Sequence, residues 1–350
     1  MDFALDESQR AIADLAAQVL RAPGTDDART TQALAGPAGY DEALWKSMAQ
    51  AGLLALALPE DLGGDGFGAV AVCTVLREVG RQTLPVPALA TLALGVLPTV
   101  ALGTAAQRAL LAGVADGAIL TAALRGIPAR SDGSGLVLDG AAADVRYAAQ
   151  AERILVPTEH GIALVAANTP GVSLSRTPTS AGSPAYTLRC ESVRVDGANV
   201  LAGDPAVLQR FAAAGAAAVA DGVIAAAVDL TAEHLRTRRQ FGKPLATFQA
   251  VAQQIADVYV VARTMNLAAS STAWRLDAGL DAGDDADVAA YWLAAELPKA
   301  LQTCHHLHGG LGVDITYPLH RYYSQAKDLA RLVGGAASRL DAIGVRCSSN

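Results

Sequence analysis

The sequence is poor in charged and aromatic residues, and its cysteines are few and scattered. Only 17% of the 350 residues are charged and 5% are aromatic, whereas 52% are hydrophobic, which predicts large buried cores. The net charge of -7 excludes a basic field over the whole chain, so we expect no nucleic-acid partner. No C-x-x-C spacing occurs, and the cysteines predict isolated thiols rather than a disulfide framework or a metal site: Cys73, Cys190, Cys304 and Cys347.

The sequence also lacks a long apolar run that is free of helix breakers. A stretch without charge lies between Gln82 and Gln107, but three prolines interrupt it. This stretch predicts a buried helix pair around a proline turn and no membrane span. Acidic side chains stand at Asp2, Asp6 and Glu7, where a secretory signal needs positive charge before an apolar core. We therefore expect a cytoplasmic protein.

The hydrophobic period divides the chain into three parts. Apolar residues recur at helical spacing up to about residue 120. The period then becomes that of strands, with short β-branched runs between Asp-Gly and Thr-Pro-Gly turns, before Ala-rich helical patterns return. The sequence predicts an α+β multidomain protein with an N-terminal helical domain (1–120), a small central antiparallel β domain (121–200) and a C-terminal helical domain (201–350).

The most informative segment lies early in the third part. It reads Arg238-Arg239-Gln240-Phe241-Gly242-Lys243-Pro244-Leu245 and is followed by Phe248-Gln249. The helical pattern stops at the arginine pair and restarts after the Gly-Lys-Pro turn, which predicts a helix-turn-helix hairpin with cations at its tip. Its guanidinium, aromatic and amide groups suit a cofactor that carries a diphosphate and a flat ring. Basic residues followed by Gly and Pro are also ordinary at helix ends, so the pattern leaves both interpretations open.

A cluster of potential metal ligands stands near the end of the chain. It comprises Cys304, His305, His306 and His308, and it leads into the Gly309-Gly310 turn. The spacing provides no tetrahedral set on one helical face and no carboxylate partner. We therefore expect no metal ion at this cluster.

Four segments of the sequence resemble the acyl-CoA dehydrogenase family, flavoenzymes that introduce an α,β-double bond into an acyl-CoA thioester. The hairpin matches the family's R-x-x-F-G-x-x-x-x-x-F-Q signature without a gap. The others resemble the start of the first helix, a P-E-x-x-G-G-x-G turn and the Q/H-x-x-G-G-x-G, Y-P and A-K motifs: Met1-Asp2-Phe3 with Glu7, Pro59-Glu60 with Gly63-Gly64-Asp65-Gly66, and His306 to Gly312 with Tyr317-Pro318 and Ala326-Lys327. Together these segments extend over nearly the whole chain.

The resemblance implies a fold and a set of cofactor contacts. The fold would have an N-terminal helical domain, a central β-barrel-like domain and a C-terminal four-helix bundle through which subunits associate. The cofactor would be FAD, the substrate an acyl-CoA and the electron acceptor an electron-transfer flavoprotein. The residues that in the family reach a neighbouring subunit's FAD are largely kept, with His306 where Gln is common: Arg238, Gln240, Phe241, Gln249, His306, Gly309 and Gly310.

The catalytic carboxylate that the resemblance implies is missing from both of its usual places. In the family a Glu removes the proton next to the thioester carbonyl, because burial can raise the pKa of a carboxylate enough for it to accept that proton. Ungapped counting from the Y-P motif and from the hairpin puts the two places at Val333 and Ala212. Neither side chain accepts a proton. Asp221 is a weak candidate for a relocated base, although an ion pair across a helix interface explains it at least as well.

The stretches that in the family hold the flavin ring are also changed. They read Thr121 to Pro128 and Asp144 to Ala149, without the family's M-T-E-P-x-A-G-S-D and W-I-T-N patterns. The chain thus keeps the half-site that it would lend to a partner's FAD and lacks the half-site and base for its own. It resembles the non-catalytic subunit of heterotetrameric acyl-CoA dehydrogenases of actinobacteria, which act on bulky, often steroid-derived, CoA thioesters.

Two alternatives remain open at the level of the sequence. A self-sufficient homomeric acyl-CoA dehydrogenase would need a relocated base such as Asp221. A non-enzymatic acyl-CoA-binding or scaffold protein would keep the fold and its subunit interface without the redox function. Bleaching of a bound flavin by an acyl-CoA would separate the enzymes from the scaffold protein.

Overall fold

The first part of the chain is mostly helical. A computed structural model describes residues 5–21 and 27–349, so Met1-Asp2-Phe3 of the first family motif lie outside the described residues. The first helix begins at Glu7 because Asp6 and Gln9 form a capping box, in which each side chain accepts a hydrogen bond from the other's backbone N–H. The helices of this part are α1 (Glu7–Leu20), α2 (Asp27–Ala35), α3 (Glu42–Gln50), α4 (Ala69–Gln82), α5 (Leu97–Leu102) and α6 (Ala105–Arg108).

Most of the uncharged stretch between Gln82 and Gln107 forms one buried helical segment and not the predicted helix pair around a proline turn. Residues Leu89–Val96 are π-helical and continue directly into α5. Pro98 falls in the first turn of α5, after the wider π-helical turns. Proline is tolerated in the first turn of an α-helix because its missing N–H breaks no α-helical hydrogen bond there. The helix therefore continues through Pro98.

The central part consists of two four-stranded sheets. Their strand orders are β1-β4-β5-β8 and β2-β3-β7-β6. The pairs are antiparallel, as predicted, except that β1 runs parallel to β4, because the intervening strands belong to the other sheet. The strands are β1 (Leu120–Ala122), β2 (Ala129–Ser131), β3 (Gly135–Arg146), β4 (Arg153–Thr158), β5 (Gly161–Val165), β6 (Val172–Thr177), β7 (Ala185–Asp196) and β8 (Val200–Leu201).

The last part is a bundle of helices around one long central helix. The helix α7 packs against α4 of the first part and against α8, α9, α10 and α11. A Cβ atom added at Gly222 of α7 would collide with the backbone oxygen of Arg77 on α4, so the small residues of α7 permit this close approach. The helices are α7 (Ala206–Thr237), α8 (Gln249–Asp277), α9 (Gly283–Ala295), α10 (Leu297–His308), α11 (Leu319–Leu332) and α12 (Gly335–Ser349).

By length and composition α7 could cross a membrane, but its environment is that of a core helix. Within its apolar window, 89% of the residues are buried inside the protein. The helix is apolar around its whole circumference because it contacts neighbours on every side. The predicted α+β fold, with helices before and after a central β region, is confirmed.

The acidic segment from Asp277 to Asp287 is mostly helical, since only residues 278–282 connect α8 to α9. Asp277 instead caps α4, since its carboxylate accepts hydrogen bonds from the backbone N–H groups of Ala69 and Val70. Asp287 is buried in α9, where it pairs with arginines of α12. The acidic composition therefore reflects capping and ion pairing more than exposure.

Candidate functional site

The predicted hairpin is present between α7 and α8, with a miniature β-hairpin at its tip. The backbone becomes extended at Arg238, and the two-residue strands β9 (Arg239–Gln240) and β10 (Lys243–Pro244) pair antiparallel. Phe241 and Gly242 join them with φ angles of 50° and 81°. Two successive positive φ angles are typical of a type I′ turn, whose twist matches that of paired strands. The turn holds an aromatic side chain at the tip in a backbone conformation that such residues rarely adopt.

The tip of the hairpin combines an exposed ring with exposed cations. Phe241 is 91% exposed, and its ring meets that of Phe248 edge to face at 6.2 Å. The Nζ atom of Lys243 lies 4.4 Å from the centre of the Phe248 ring, in cation–π geometry. Arg239 donates to the carbonyl oxygen of Gly242, whereas no described residue accepts a hydrogen bond from the side chain of Arg238. The exposed ring and cations can therefore contact a flat ring and an anion that do not belong to this chain.

A stack of two histidines connects the base of the hairpin to the Gly309-Gly310 turn. His234, one turn before Arg238 on α7, stacks on His308 with ring centres 4.4 Å apart. His308 Nδ1 lies 2.8 Å from the carbonyl oxygen of Cys304, and its Nε2 lies 3.1 Å from the Tyr317 hydroxyl. Burial lowers the pKa of both imidazoles, so they stack in the neutral form. The sequence did not predict this stack. His308 was considered there only as a potential metal ligand, and His234 was not singled out, although His308 directly precedes Gly309 and His234 lies one turn before Arg238.

The candidate cofactor contacts share one property in the structure. Each of them is exposed: Arg238, Gln240, Phe241, Gln249, His306, Gly309 and Gly310. Arg238, Gln240 and Phe241 belong to the hairpin, and Gln249 is the first residue of α8. His306 lies near the end of α10, and Gly309 and Gly310 lie in the turn that follows it. These groups therefore face outward and do not line an internal cavity of this chain.

The two places where the family carries its catalytic Glu meet at one cavity. Ala212 of α7 and Val333, at the end of α11, both line a cavity of about 360 Å³ between the β region and the C-terminal helices. Their exposed fractions are 2% and 7%. Counting from two unrelated motifs thus leads to the same cavity. Neighbouring hydrocarbon completes this wall: Leu124, Ala213, Ala290 and Leu332.

Among the described residues that line this cavity, only Asp144 is acidic, and it is held in ion pairs. Its Oδ1 lies 2.9 Å from Nε of Arg146, and its Oδ2 lies 3.3 Å from Nε of Arg331. Arg146 also donates to the backbone carbonyl of Asp328 on α11. This network ties the end of β3 to α11 at the stretch where the family holds its flavin ring. The carboxylate of Asp144 is thus engaged by two guanidiniums and links β3 to α11.

The weak candidate Asp221 lies in a different place. It is 3% exposed and lines a separate cavity of about 390 Å³ formed by α1, α4, α7 and α8. Its Oδ2 accepts hydrogen bonds from Arg77 Nε at 2.6 Å and from Asn266 Nδ2 at 3.0 Å. Nine residues of helix separate it from Ala212, a rise of roughly 13 Å. The arrangement is that of a structural ion pair between helices.

The Cys-His cluster is occupied by packing contacts. Cys304 is buried, which raises the pKa of its thiol to about 11. His305 Nδ1 lies 2.7 Å from the carbonyl oxygen of Gly312, and His308 is engaged as described above. Within residues 5–21 and 27–349, no three His, Cys, Asp or Glu side chains are grouped so that they could hold a metal ion.

Two family models match the chain. The model described as acyl-CoA dehydrogenase, N-terminal domain, matches residues 6–118, and that described as acyl-CoA dehydrogenase, C-terminal domain, matches residues 207–346. Among curated proteins, the chain is 44% identical to acyl-CoA dehydrogenase FadE28 of Mycobacterium tuberculosis, over 99% of each chain.

Solved structures also resemble this chain over its whole length. The ChsE4-ChsE5 complex from Mycobacterium tuberculosis contains a chain with a TM-score of 0.93 and 32% identity, with 100% of both chains covered. The Tcur3481-Tcur3483 steroid ACAD contains one with a TM-score of 0.92 and 35% identity, with 98% of both chains covered.

Proposed function

Since this chain belongs to the acyl-CoA dehydrogenase family, oxidoreductases that act on CH–CH groups, we propose that it is the base-less subunit of a heteromeric enzyme. It completes the FAD site of a homologous partner subunit, which carries the catalytic Glu. The enzyme is a heterotetramer that desaturates a bulky acyl-CoA thioester, such as a steroid-derived one, and passes electrons to an electron-transfer flavoprotein. The protein works in the cytoplasm.

The observation that carries this proposal is the separation of two half-sites in one chain. The groups suited to an FAD are exposed at the hairpin and at the Gly309-Gly310 turn. The cavity where a base would stand is lined by Ala212 and Val333 and contains no free carboxylate among the described lining residues. The exposed groups of this chain can thus bind a cofactor held by another subunit, whereas its own cavity provides no proton acceptor.

The residues present fit one half of an FAD site. Arg238 provides a guanidinium with unused donors for the diphosphate, and Phe241 provides an exposed face for a flat ring. The histidine stack holds the Gly309-Gly310 turn, whose backbone can approach a cofactor closely because it has no side chains. When bound, the flavin accepts the hydride of the desaturation, and this chain only binds and orients it.

The residues at the chain's own ring-binding stretch do not fit a flavin. Asp144, Arg146 and Arg331 join β3 to α11 there through ion pairs. A flavin ring would have to break these pairs without replacing them. The substrate class and the two-chain assembly are proposed by analogy with the similar ChsE4-ChsE5 complex and steroid ACAD.

Co-expression with a homologous dehydrogenase that carries the Glu tests the proposal. We expect about one FAD for every two chains in the purified complex, and bleaching of the flavin by an acyl-CoA only when both chains are present. One FAD per chain and full turnover by this chain alone would contradict the proposal.

The variant Asp221→Asn adds a test of the homomeric alternative. It removes the charge that pairs with Arg77 and keeps the side-chain shape. We expect a loss of stability of about 2 kcal/mol, since the Arg77 guanidinium loses the nearer of its two carboxylate partners at a partly exposed site, and unchanged turnover per folded complex. Turnover abolished in a folded complex would instead identify Asp221 as a base.

A further inference from the structure

The cavity beneath Val333 carries an excess of positive charge that the proposed function does not use. Its lining includes the guanidiniums of Arg125, Arg331 and Arg339 against the single carboxylate of Asp144. This excess stands out in a chain whose net charge is -7. A cationic cavity with low-dielectric walls concentrates small anions at its mouth.

Two of the three guanidiniums have donors to spare. Arg125 is exposed, and no described residue accepts a hydrogen bond from its side chain. Arg339 bonds Asp287 through Nη1 at 3.3 Å, but its Nε is buried without any acceptor. An unsatisfied buried donor is unfavourable, and an incoming acceptor would remove part of that penalty.

The remaining walls suit an anion with an apolar tail. Helix α12 begins at Gly335 beside the cavity, and its first turn includes the lining residue Ser338. The first N–H groups of a helix have no intrahelical acceptor and carry the positive end of the helix dipole. The floor, by contrast, is hydrocarbon from Ala212, Ala290 and Val333.

We propose that this cavity binds a small amphipathic carboxylate. Its carboxylate lies between Arg125 and Arg339 at the mouth, and its chain lies on the Ala and Val floor. The planar carboxylate can accept two parallel hydrogen bonds from a guanidinium. The cavity volume of about 360 Å³ is large enough for a medium-length acyl chain. The inference goes beyond the proposed function, since it concerns a ligand of this chain alone and neither flavin nor partner.

Calorimetric titration of octanoate into the full chain tests the proposal, with octanamide as the uncharged ligand of the same shape. We expect saturable binding of about one octanoate per chain and at least tenfold weaker binding of octanamide. R339Q should weaken octanoate binding about tenfold and R125Q about threefold, the smaller effect reflecting exposure of the second arginine. R194Q removes a guanidinium of β7 outside the cavity lining and should change nothing.

R125Q keeps the test informative if R339Q fails to fold, because Arg125 has no partner in the described structure to lose. Absence of octanoate binding, equal binding of octanamide, or equal binding by R125Q and the parent chain would overturn the proposal. The flavin count of the co-expressed complex does not depend on Arg125, so failure of one proposal leaves the other standing.

Discussion

The hairpin surface and the Val333 cavity, the two regions that the proposed function contrasts, differ in how their polar groups are engaged. At the hairpin, polar and aromatic groups are exposed and mostly uncommitted, and the side chain of Arg238 makes no hydrogen bond to a described residue. At the cavity, Asp144 and Arg331 are committed to each other, and Val333 and Ala212 are hydrocarbon. The groups at the hairpin add little to the stability of their own chain, whereas those at the cavity connect β3 to α11.

Under the proposed function, this difference lets a catalytic fold take part in catalysis without a base of its own. A base and a ring pocket need buried polar groups, which cost free energy unless they are satisfied. The hydrocarbon side chains of Val333 and Ala212 avoid that cost. The exposed hairpin carries no such cost, since water solvates its cations until a ligand arrives. We therefore expect the two regions to respond to substitution in opposite ways.

The largest effect is expected for Arg238→Gln at the hairpin. In the co-expressed complex, it removes a charge-assisted contact to the cofactor phosphate and should weaken FAD retention by about 10- to 100-fold. Fluorescence of released flavin on dilution measures this affinity. Arg236→Gln is the matched control, because Arg236 is exposed, lies two residues before Arg238 and pairs only with Glu233 among the described residues. Equal retention by the parent complex and R238Q would remove the hairpin from the FAD site.

The second effect is expected for Val333→Glu, which restores the family's residue in the cavity. Because Val333 is buried, the added carboxylate should lower the free energy of unfolding by about 1–2 kcal/mol, even with arginines near it. The single chain should still fail to bleach flavin with an acyl-CoA, since the Asp144 network remains. Val333→Gln controls for volume, and urea unfolding measures both variants. Turnover by the V333E chain alone would show that its own flavin half-site is intact.

The sequence predicted the architecture well, because periodicity and family motifs extend along most of the chain. The α+β fold and the family resemblance are confirmed, and both base positions lead to one cavity. The error at Pro98 arose because proline usually ends a helix, whereas π-helical turns before it let this one continue. The predicted FAD contacts are exposed in the structure, and their binding role stays a prediction.

Other features could not have been derived from local patterns, since they depend on residues far apart in the chain. The His234–His308 stack joins α7 to α10, and the Asp144–Arg331 pair joins a strand to a helix 187 residues later. The sequence separation of the two residues does not identify either pair. The cationic lining of the cavity is equally invisible in a chain of net charge -7, because only folding gathers its arginines.

The smallest effect concerns the histidines beneath the hairpin, and it depends on pH. Burial lowers the pKa of His308 below its ordinary value of 6.5. The neighbouring imidazoles of His234 and His305 lower it further, and the hydrogen bond to Cys304 acts in the opposite direction. The unfolded chain then binds more protons than the folded chain just below pH 6.5, so the free energy of unfolding falls as the pH drops through that value.

His308→Gln removes this proton-binding group and keeps a side chain that can bond Tyr317. Urea unfolding of the variant between about pH 5 and pH 7.5 should therefore depend less on pH than that of the parent, by at most about 1.4 kcal/mol per pH unit for one proton. His160→Gln, at an exposed turn between β4 and β5, should keep the parental slope. An unchanged slope in H308Q would mean that His308 binds protons equally in the folded and the unfolded chain. The stack would then stabilise the base of the hairpin by packing alone.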